Sequence, residues 1–354
     1  MTNETSQQSH RYRLFGTVGS PYALKLRALM RYKRLAFDWV PATLDWIPDD
    51  LPHPPLCVGS GKVLADLSPR VVPAVFFPED ASIRNESTTV AYLLDARNPD
   101  RPSISPDPGI AFLSHLMEDM ADEWLVKMAF HYRWGNQTNA AYKSRIVTGE
   151  FLGGNYDPSA LAKAAEHFAA RQQSRMPLVG CTPENAPAIE ASFKRLLAIL
   201  DRLSSSSTFL FGASPTLADF GFYGQLQSLA TDPTPWAIMR EHSMGVFPYL
   251  QLLEDASGIE PSHSTVGSLG KPAIDLVRFA SSTYLPYLKA NERALLDQQP
   301  SFTVEVDGRK YSQAPFKYHG KCLKILRKEY AALPTRAKSD VTEILGDAAI
   351  LNNM

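Results

Sequence analysis

"RVVPAVFFPEDASIRNESTTVAYLLDA", residues 70–96, decides how this chain folds. Two apolar runs rich in β-branched and aromatic residues flank Pro73. A turn at 78–81 and a short strand pattern, SIRN, follow, and then Glu86 and Ser87 open the helical pattern ESTTVAYLLDARN. A proline removes one ladder donor, so a buried strand tolerates it at its entrance or where the strand edge serves another purpose. The bond before a proline is also the one that can be cis at modest cost. A cis Val72–Pro73 bond would turn the Val72 N–H and C=O out of the sheet, free to pair with an extended peptide as an added strand. Glu86 and Ser87 lie where the next helix begins, and the unpaired N–H groups and positive dipole end of a helix form a carboxylate site. Ser87 as a simple N-cap and Glu86 as a favourable first-turn charge explain the same residue types. Taken together, the features suit a small extended peptide with a free carboxylate.

Upstream, YRLFGTV (12–18) reads as a strand and SPYALKLRALMRYKR as a helix, with Ser20 at the N-cap and Pro21 at the first helical position. FDWVPA, from Phe37, reads as a second strand, and a long loop rich in proline and other turn formers runs from Thr43 to Pro69. The order β-α-β-loop-β-β-α predicts a small α/β domain over residues 11–98. RPSISPDPG, within 99–109, reads as a linker. From Ile110 the apolar spacing is three and four, through IAFLSHLMEDMADEWLVKMAFHYRW, a segment from Pro158 to Arg175 and AIEASFKRLLAILDRL, which predicts an all-helical domain over 110–258. Residues 259–354 predict a helical extension packed on that domain, with a hairpin TVEVDGRKYSQ turning at Asp307-Gly308 and a last amphipathic helix, KYHGKCLKILRKEYAAL.

The 354 residues are 44% hydrophobic and 21% charged, enough to bury a full core, and the formal charge of -1 gives no bulk reason to bind nucleic acid or an anionic membrane. Any ligand must be recognised locally. Cys57, Cys181 and Cys322 are widely spaced and form no CxxC pair, so neither a disulfide framework nor a metal site is expected, and a reducing cytoplasm is the expected compartment. MTNETSQQSHRYR lacks the apolar core of a signal peptide and no stretch reaches the ~20 apolar residues of a membrane span, so no membrane insertion is expected. CVGSGK, residues 57–62, lacks the spacing of a phosphate loop. SPTLADF places Thr216 at an N-cap with Asp219 three residues on, a capping box with Asp in place of Glu.

VVPAVFF, NESTTVAYLLDARNP and SPTLADF resemble the cytosolic glutathione transferase superfamily, and the resemblance covers roughly residues 11–257. It implies a thioredoxin-like N-terminal domain followed by an all-α helical bundle domain, here with a C-terminal extension. It implies glutathione as co-substrate, no metal, a role in detoxification, a small hydrophobic electrophile as the second substrate, and a homodimer. Val72 and Pro73 occupy the place that pairs with the cysteinyl backbone of glutathione, and Glu86 and Ser87 the place that holds its γ-glutamyl end.

A transferase of this kind must form a thiolate near neutral pH from a thiol whose reference pKa is about 8.5, and two units of lowering require about 2.7 kcal/mol. One hydrogen bond to the anion supplies about 1.5–3 kcal/mol and a helix N-terminus up to about 1, so no metal is needed. GSPYALKLRALMRYK resembles the serine-type pattern of the family, which makes Ser20 the thiolate stabiliser and Tyr22 the second candidate. The oxidoreductase branches carry cysteine where Ser20 stands, so the resemblance gives no support to exchange through a protein mixed disulfide. The electrophile is expected between the domains, against a wall of Trp124, Met128, His131, Tyr132 and Arg133. A helix of this spacing needs an apolar stripe for its core in any case. The reading is a glutathione transferase acting on an apolar or aromatic electrophile. Glutathione-dependent dehalogenation, ether cleavage and isomerisation are close variants, and a non-catalytic scaffold of the same fold is the alternative. The loop at 43–69 and the extension beyond Gly258 depart from the family pattern.

Overall fold

The computed structural model describes residues 11–42, 64, 67–68, 71–152 and 157–352. The N-terminal domain comprises β1 (Tyr12–Gly16), α1 (Pro21–Tyr32), β2 (Phe37–Pro41), β3 (Ala74–Phe77), β4 (Ser82–Asn85) and α2 (Ser87–Arg97). The sheet order is β2-β1-β3-β4. β1 and β2 are parallel, with Leu14 beside Trp39, while β3 runs antiparallel to both neighbours, with Val75 between Leu14 and Arg84. The strand anticipated through VVPAVFF starts only at Ala74, because Pro73 has no N–H to give a ladder. The Val72–Pro73 peptide is cis. Most of the proline-rich loop, CVGSGK included, lies outside the described residues.

The helical domain comprises α3 (Pro108–Met120), a π turn (Ala121–Leu125), α4 (Val126–Trp134), α5 (Gln137–Phe151), α6 (Pro158–Gln173), α7 (Met176–Val179), α8 (Ala186–Ser204), α9 (Leu217–Ala230), α10 (Pro233–His242) and α11 (Val246–Glu254). α9 is the axial helix, buried at every position from Leu217 to Leu226. It lies directly on the start of α1, and Gly224 makes that possible: a Cβ there would stand 2.2 Å from the Pro21 carbonyl oxygen. The Asp219 carboxylate accepts from Thr216 N (2.8 Å), Thr216 Oγ1 (2.9 Å), Leu210 N (2.8 Å) and Tyr249 OH (3.1 Å), so the anticipated capping box also ties down the preceding loop and α11. The stretch between the domains is pinned, not loose: Asp95 of α2 accepts from Ser103 N and Ser103 Oγ, both at 2.8 Å, and pairs with the buried Lys33 at 2.7 Å.

The extension adds α12 (Lys271–Phe279), a second π turn (Ala280–Tyr284), α13 (Leu285–Leu296), β5 (Phe302–Val306), β6 (Arg309–Gln313), α14 (Lys317–Ala332), α15 (Thr335–Leu345) and α16 (Ala349–Asn352). The hairpin turns with positive φ at Asp307 (49°) and Gly308 (72°), as an Asp-Gly two-residue turn requires. α15 and α16 have no counterpart in the sequence reading. One continuous apolar core runs from Tyr12 of β1 through α9 to Leu351 of α16. Polar bonds join the extension to α3 and the π turn after it: Tyr284 OH donates to Asp119 Oδ2 (2.8 Å), His115 Nδ1 meets Glu329 Oε2 (2.6 Å), and His319 Nε2 meets Glu123 Oε2 (2.8 Å).

Two predictions follow from these bonds. Replacing Asp219 by Ala leaves four donors without their acceptor, and chemical denaturation should show a loss of about 2–4 kcal/mol. His115 is a pH-dependent tether. Burial opposes its charge, but the hydrogen bond to Glu329 and the nearby Glu118 and Asp119 outweigh burial and push its pKa up to about 9. A raised histidine pKa stabilises fully below the unfolded value near 6.5, and that contribution, up to about 3 kcal/mol, is lost as pH rises to about 9. Protection factors in α14, which correct exchange rates for intrinsic base catalysis, should therefore fall between pH 6.5 and 9, and His115→Gln should remove that fall.

Candidate functional site

Ser20 is the N-cap of α1, with extended backbone (φ -96°, ψ 115°), and its Oγ accepts from Ala23 N at 3.3 Å. Pro21 follows at the first helical position, where its missing N–H costs no helical bond. Residues of the helical domain hold the turn before Ser20. Glu150 of α5 accepts from Thr17 Oγ1 (2.6 Å) and Val18 N (2.9 Å), and Trp39 Nε1 lies 3.4 Å from its other oxygen. Arg133 of α4 donates to the Gly19 carbonyl (3.0 Å) while pairing with the buried Asp232 (2.6 Å) and the Ser228 carbonyl (2.8 Å).

A cavity of about 320 Å³ opens beside Ser20, between the sheet domain and the helical domain. The sheet domain contributes Thr17, Gly19, Ser20, Pro21, Tyr22, Ala42, Val71 and Val72. α4 contributes Val126, Ala129, Phe130, Arg133 and Trp134; α5 contributes Val147 and Phe151; α6 and the turn beyond it contribute Phe168, Arg171, Gln172 and Arg175. Of the residues singled out in the sequence, Ser20, Tyr22, Val72 and Arg133 meet here. Tyr22 OH donates to the Asp122 carbonyl at 3.0 Å. Burial, then the Glu123 and Asp122 charges, drive its pKa well above the ordinary phenol value.

The other expected wall residues lie elsewhere. Trp124 is buried, donates its indole N–H to Ser192 Oγ (2.9 Å), and sits against the rings of Tyr287 and Tyr311 at 5.3 Å. Met128 is core, Tyr132 packs on Phe193, and His131 faces Glu190 (3.0 Å) on the outer side. The face turned to the cavity carries 126, 129, 130 and 133 instead. A π turn inserts an extra residue at Ala121–Leu125 and rotates the later positions relative to α3, which a regular helical period does not anticipate. α5 supplies Glu150, Val147 and Phe151, and its signal in the sequence is Asn136, an N-cap whose side chain accepts from Asn139 N (3.0 Å). Nothing in the local pattern marked Arg171 or Arg175.

Glu86 and Ser87 begin α2 but do not line this cavity. Glu86 holds a positive φ of 71°, a conformation that costs a non-glycine residue about 1–3 kcal/mol, and its exposed side chain makes no capping bond. Tyr318 of the extension donates to Glu86 Oε2 at 3.3 Å. Under the start of α2 lies a buried ion cluster. Lys25 of α1 reaches Glu118, Asp122 (2.7 Å), Ser87 Oγ (3.4 Å) and Thr88 Oγ1 (3.4 Å), and Thr88 Oγ1 donates to Glu118 (2.6 Å). Burial works against the Lys25 ammonium, but the two carboxylates outweigh it and hold the ammonium protonated. Burial raises Asp122 above the carboxylate range. Among the described residues there is no cluster of three or more side chains able to hold a metal ion, and no helix is long and apolar enough to cross a membrane.

Residues 182–253 match the family model for the glutathione S-transferase C-terminal domain. That segment lies in the helical domain, behind a small mixed-sheet domain, and the two together have the fold class of a thioredoxin-like domain followed by a helical bundle. No curated protein matches it. Among solved structures it is similar to a glutathione S-transferase from Methylobacterium radiotolerans in complex with glutathione sulfonate, at 18% identity, covering 72% of this chain and 97% of that one, TM-score 0.40. It is also similar to the beta-etherase LigF from Sphingobium sp. (17% identity, 68% and 93% covered, TM-score 0.41) and to FzlA from C. crescentus (13% identity, 69% and 87% covered, TM-score 0.39).

Replacing Lys25 by Met would leave Glu118 buried without its counter-charge. We expect a loss of about 3–5 kcal/mol by denaturant titration, and a smaller loss for Lys25→Met combined with Glu118→Gln, because the second change removes the orphaned charge.

Proposed function

We propose that this protein is a glutathione transferase in which Ser20 stabilises the thiolate of glutathione, which then attacks an apolar or aromatic electrophile in the cavity between the domains. The observation that carries the reading is that Ser20 and Val72 open into the same cavity. As an N-cap, Ser20 Oγ accepts from Ala23 N, which leaves its O–H to donate to an anion at the positive end of α1. The Val72 backbone, beside Pro73, pairs with the cysteinyl residue of glutathione in the manner of an added strand. Glu86, in its strained conformation, takes the γ-glutamyl ammonium, and the N–H groups at Ser87 take the neighbouring carboxylate. Tyr22 is the weaker candidate for activation because its hydroxyl proton is committed to the Asp122 carbonyl. In a substitution, the sulfur forms a bond to the electrophilic carbon while the leaving group departs with its electron pair.

The test is ultraviolet titration of the thiolate of bound glutathione. The bound thiol should ionise about two units below the free value, and Ser20→Ala should return it upward, with kcat/KM falling about a hundredfold below the free thiol's pKa. Tyr22→Phe should leave the titration near that of the unaltered protein. Glutathione bound with an unshifted thiol would mark a scaffold, and no binding at all would end the glutathione reading.

A further inference from the structure

We propose that the cavity beside Ser20 takes an electrophile with an aromatic or apolar body and a carboxylate or comparable anionic group, held by Arg171 and Arg175; this rests on the glutathione transferase reading above. Three arginines line the cavity. Arg133 is buried, its charge is paired with Asp232, and each of its three nitrogens already donates to Asp232 or a carbonyl. Arg171 and Arg175 differ from it. Among the described residues neither guanidinium has a hydrogen-bond or ion-pair partner, whereas Arg97, Arg101, Arg195 and Arg327 elsewhere in the chain are all paired.

Arg171 lies in the last turn of α6 and Arg175 in the turn just beyond it, both line the cavity, and the Arg175 charge acts on Arg171. Arg171 is half-buried, and burial together with the Arg175 charge lowers its pKa from the ordinary guanidinium value. An anion between them would relieve both effects. No Asp or Glu is among the described residues that line the cavity. The nearby Glu150 is occupied by Thr17, Val18 and Trp39. Phe130, Trp134, Phe151 and Phe168 bring aromatic rings to the wall on this side, which suits an aromatic body. A guanidinium pair recognises a carboxylate by planar, charge-assisted hydrogen bonds.

A carboxylate could reach these arginines from the electrophile or from the glycyl end of glutathione. The electrophile is favoured because both arginines lie on the helical domain, whereas Val72, Glu86 and Ser87 all lie on the sheet domain.

The experiment compares 4-chloro-3-nitrobenzoate with its methyl ester as electrophiles. Both react by forming a carbon–sulfur bond to glutathione and releasing chloride, and each rate is divided by its uncatalysed rate. We expect the unaltered protein to favour the acid, and Arg171→Gln/Arg175→Gln to lower kcat/KM for the acid about tenfold or more. The ester should stay within about twofold and the KM for glutathione should be unchanged. Arg171→Lys/Arg175→Lys should keep part of the preference, and melting temperature checks that each variant folds. An acid-to-ester ratio unaltered in the Gln variant overturns the proposal. A rise in the KM for glutathione with both electrophiles also overturns it and assigns the arginines to the glycyl carboxylate. If the unaltered protein conjugates neither compound, the transferase reading fails on its own, and binding without glutathione, followed by quenching of tryptophan, decides the anion site. Tighter binding of the acid than the ester, lost in the Gln variant, supports it, and equal binding of the two overturns it.

Discussion

Lys25 is the charge on which the two domains agree. Its ammonium lies in the interior where α1, α2 and the end of α3 converge, and it is 0% exposed. An ammonium so placed must be surrounded by acceptors or the fold fails, because several kcal/mol of lost hydration must be replaced by geometry. Glu118 and Asp122 supply carboxyl oxygens from the helical domain, while Ser87 and Thr88 supply oxygens from the sheet domain. The same Asp122 offers its carbonyl to Tyr22. An apolar interface could slide by a fraction of a turn at small cost, but a buried ion cluster has one arrangement that satisfies it.

The turn carrying Ser20 is held in the same way, with sheet-domain backbone bonded to helical-domain side chains. Glu150 takes the Thr17 hydroxyl and the Val18 N–H, and Arg133 takes the Gly19 carbonyl. Gly224 lets α9 rest against the Pro21 carbonyl from the other side. The Ser20 hydroxyl, on a loop, is thereby given the positional precision of a packed helix. Arg133 illustrates how a charged residue in a cavity wall can be wholly structural.

The extension is integrated rather than appended. Lys127 donates to the Val179 carbonyl (3.0 Å) and to Gln313 Oε1 (3.1 Å) of the hairpin. Burial pushes the Lys127 pKa down to about 8. His319 is kept neutral, its pKa lowered to about 3 by burial and by Lys127, so it donates Nε2–H to Glu123 and accepts from Tyr287 OH (2.8 Å). Through Tyr318 the extension also reaches Glu86, which brings a third segment of the chain to the start of α2.

The sequence by itself determined the local elements: strand, proline, hairpin and helix at 70–96, the N-cap serine before Pro21, the capping box at Thr216 and Asp219, and the Asp-Gly hairpin. Each of these depends on residues within a few positions of one another, through the dihedral limits of proline and glycine and the reach of a short polar side chain. Ser20 and Val72, candidates marked in that way, line the cavity between the domains. Only the tertiary structure decided which face of α4 meets the cavity, because a π turn altered its register and sent Trp124, Met128 and Tyr132 into the core. It alone brought Glu150 to the Ser20 turn and left Arg171 and Arg175 without a hydrogen-bond or ion-pair partner among the described residues. Those outcomes depend on packing between segments more than a hundred residues apart, and hydrophobic periodicity states that a residue is covered without stating by what.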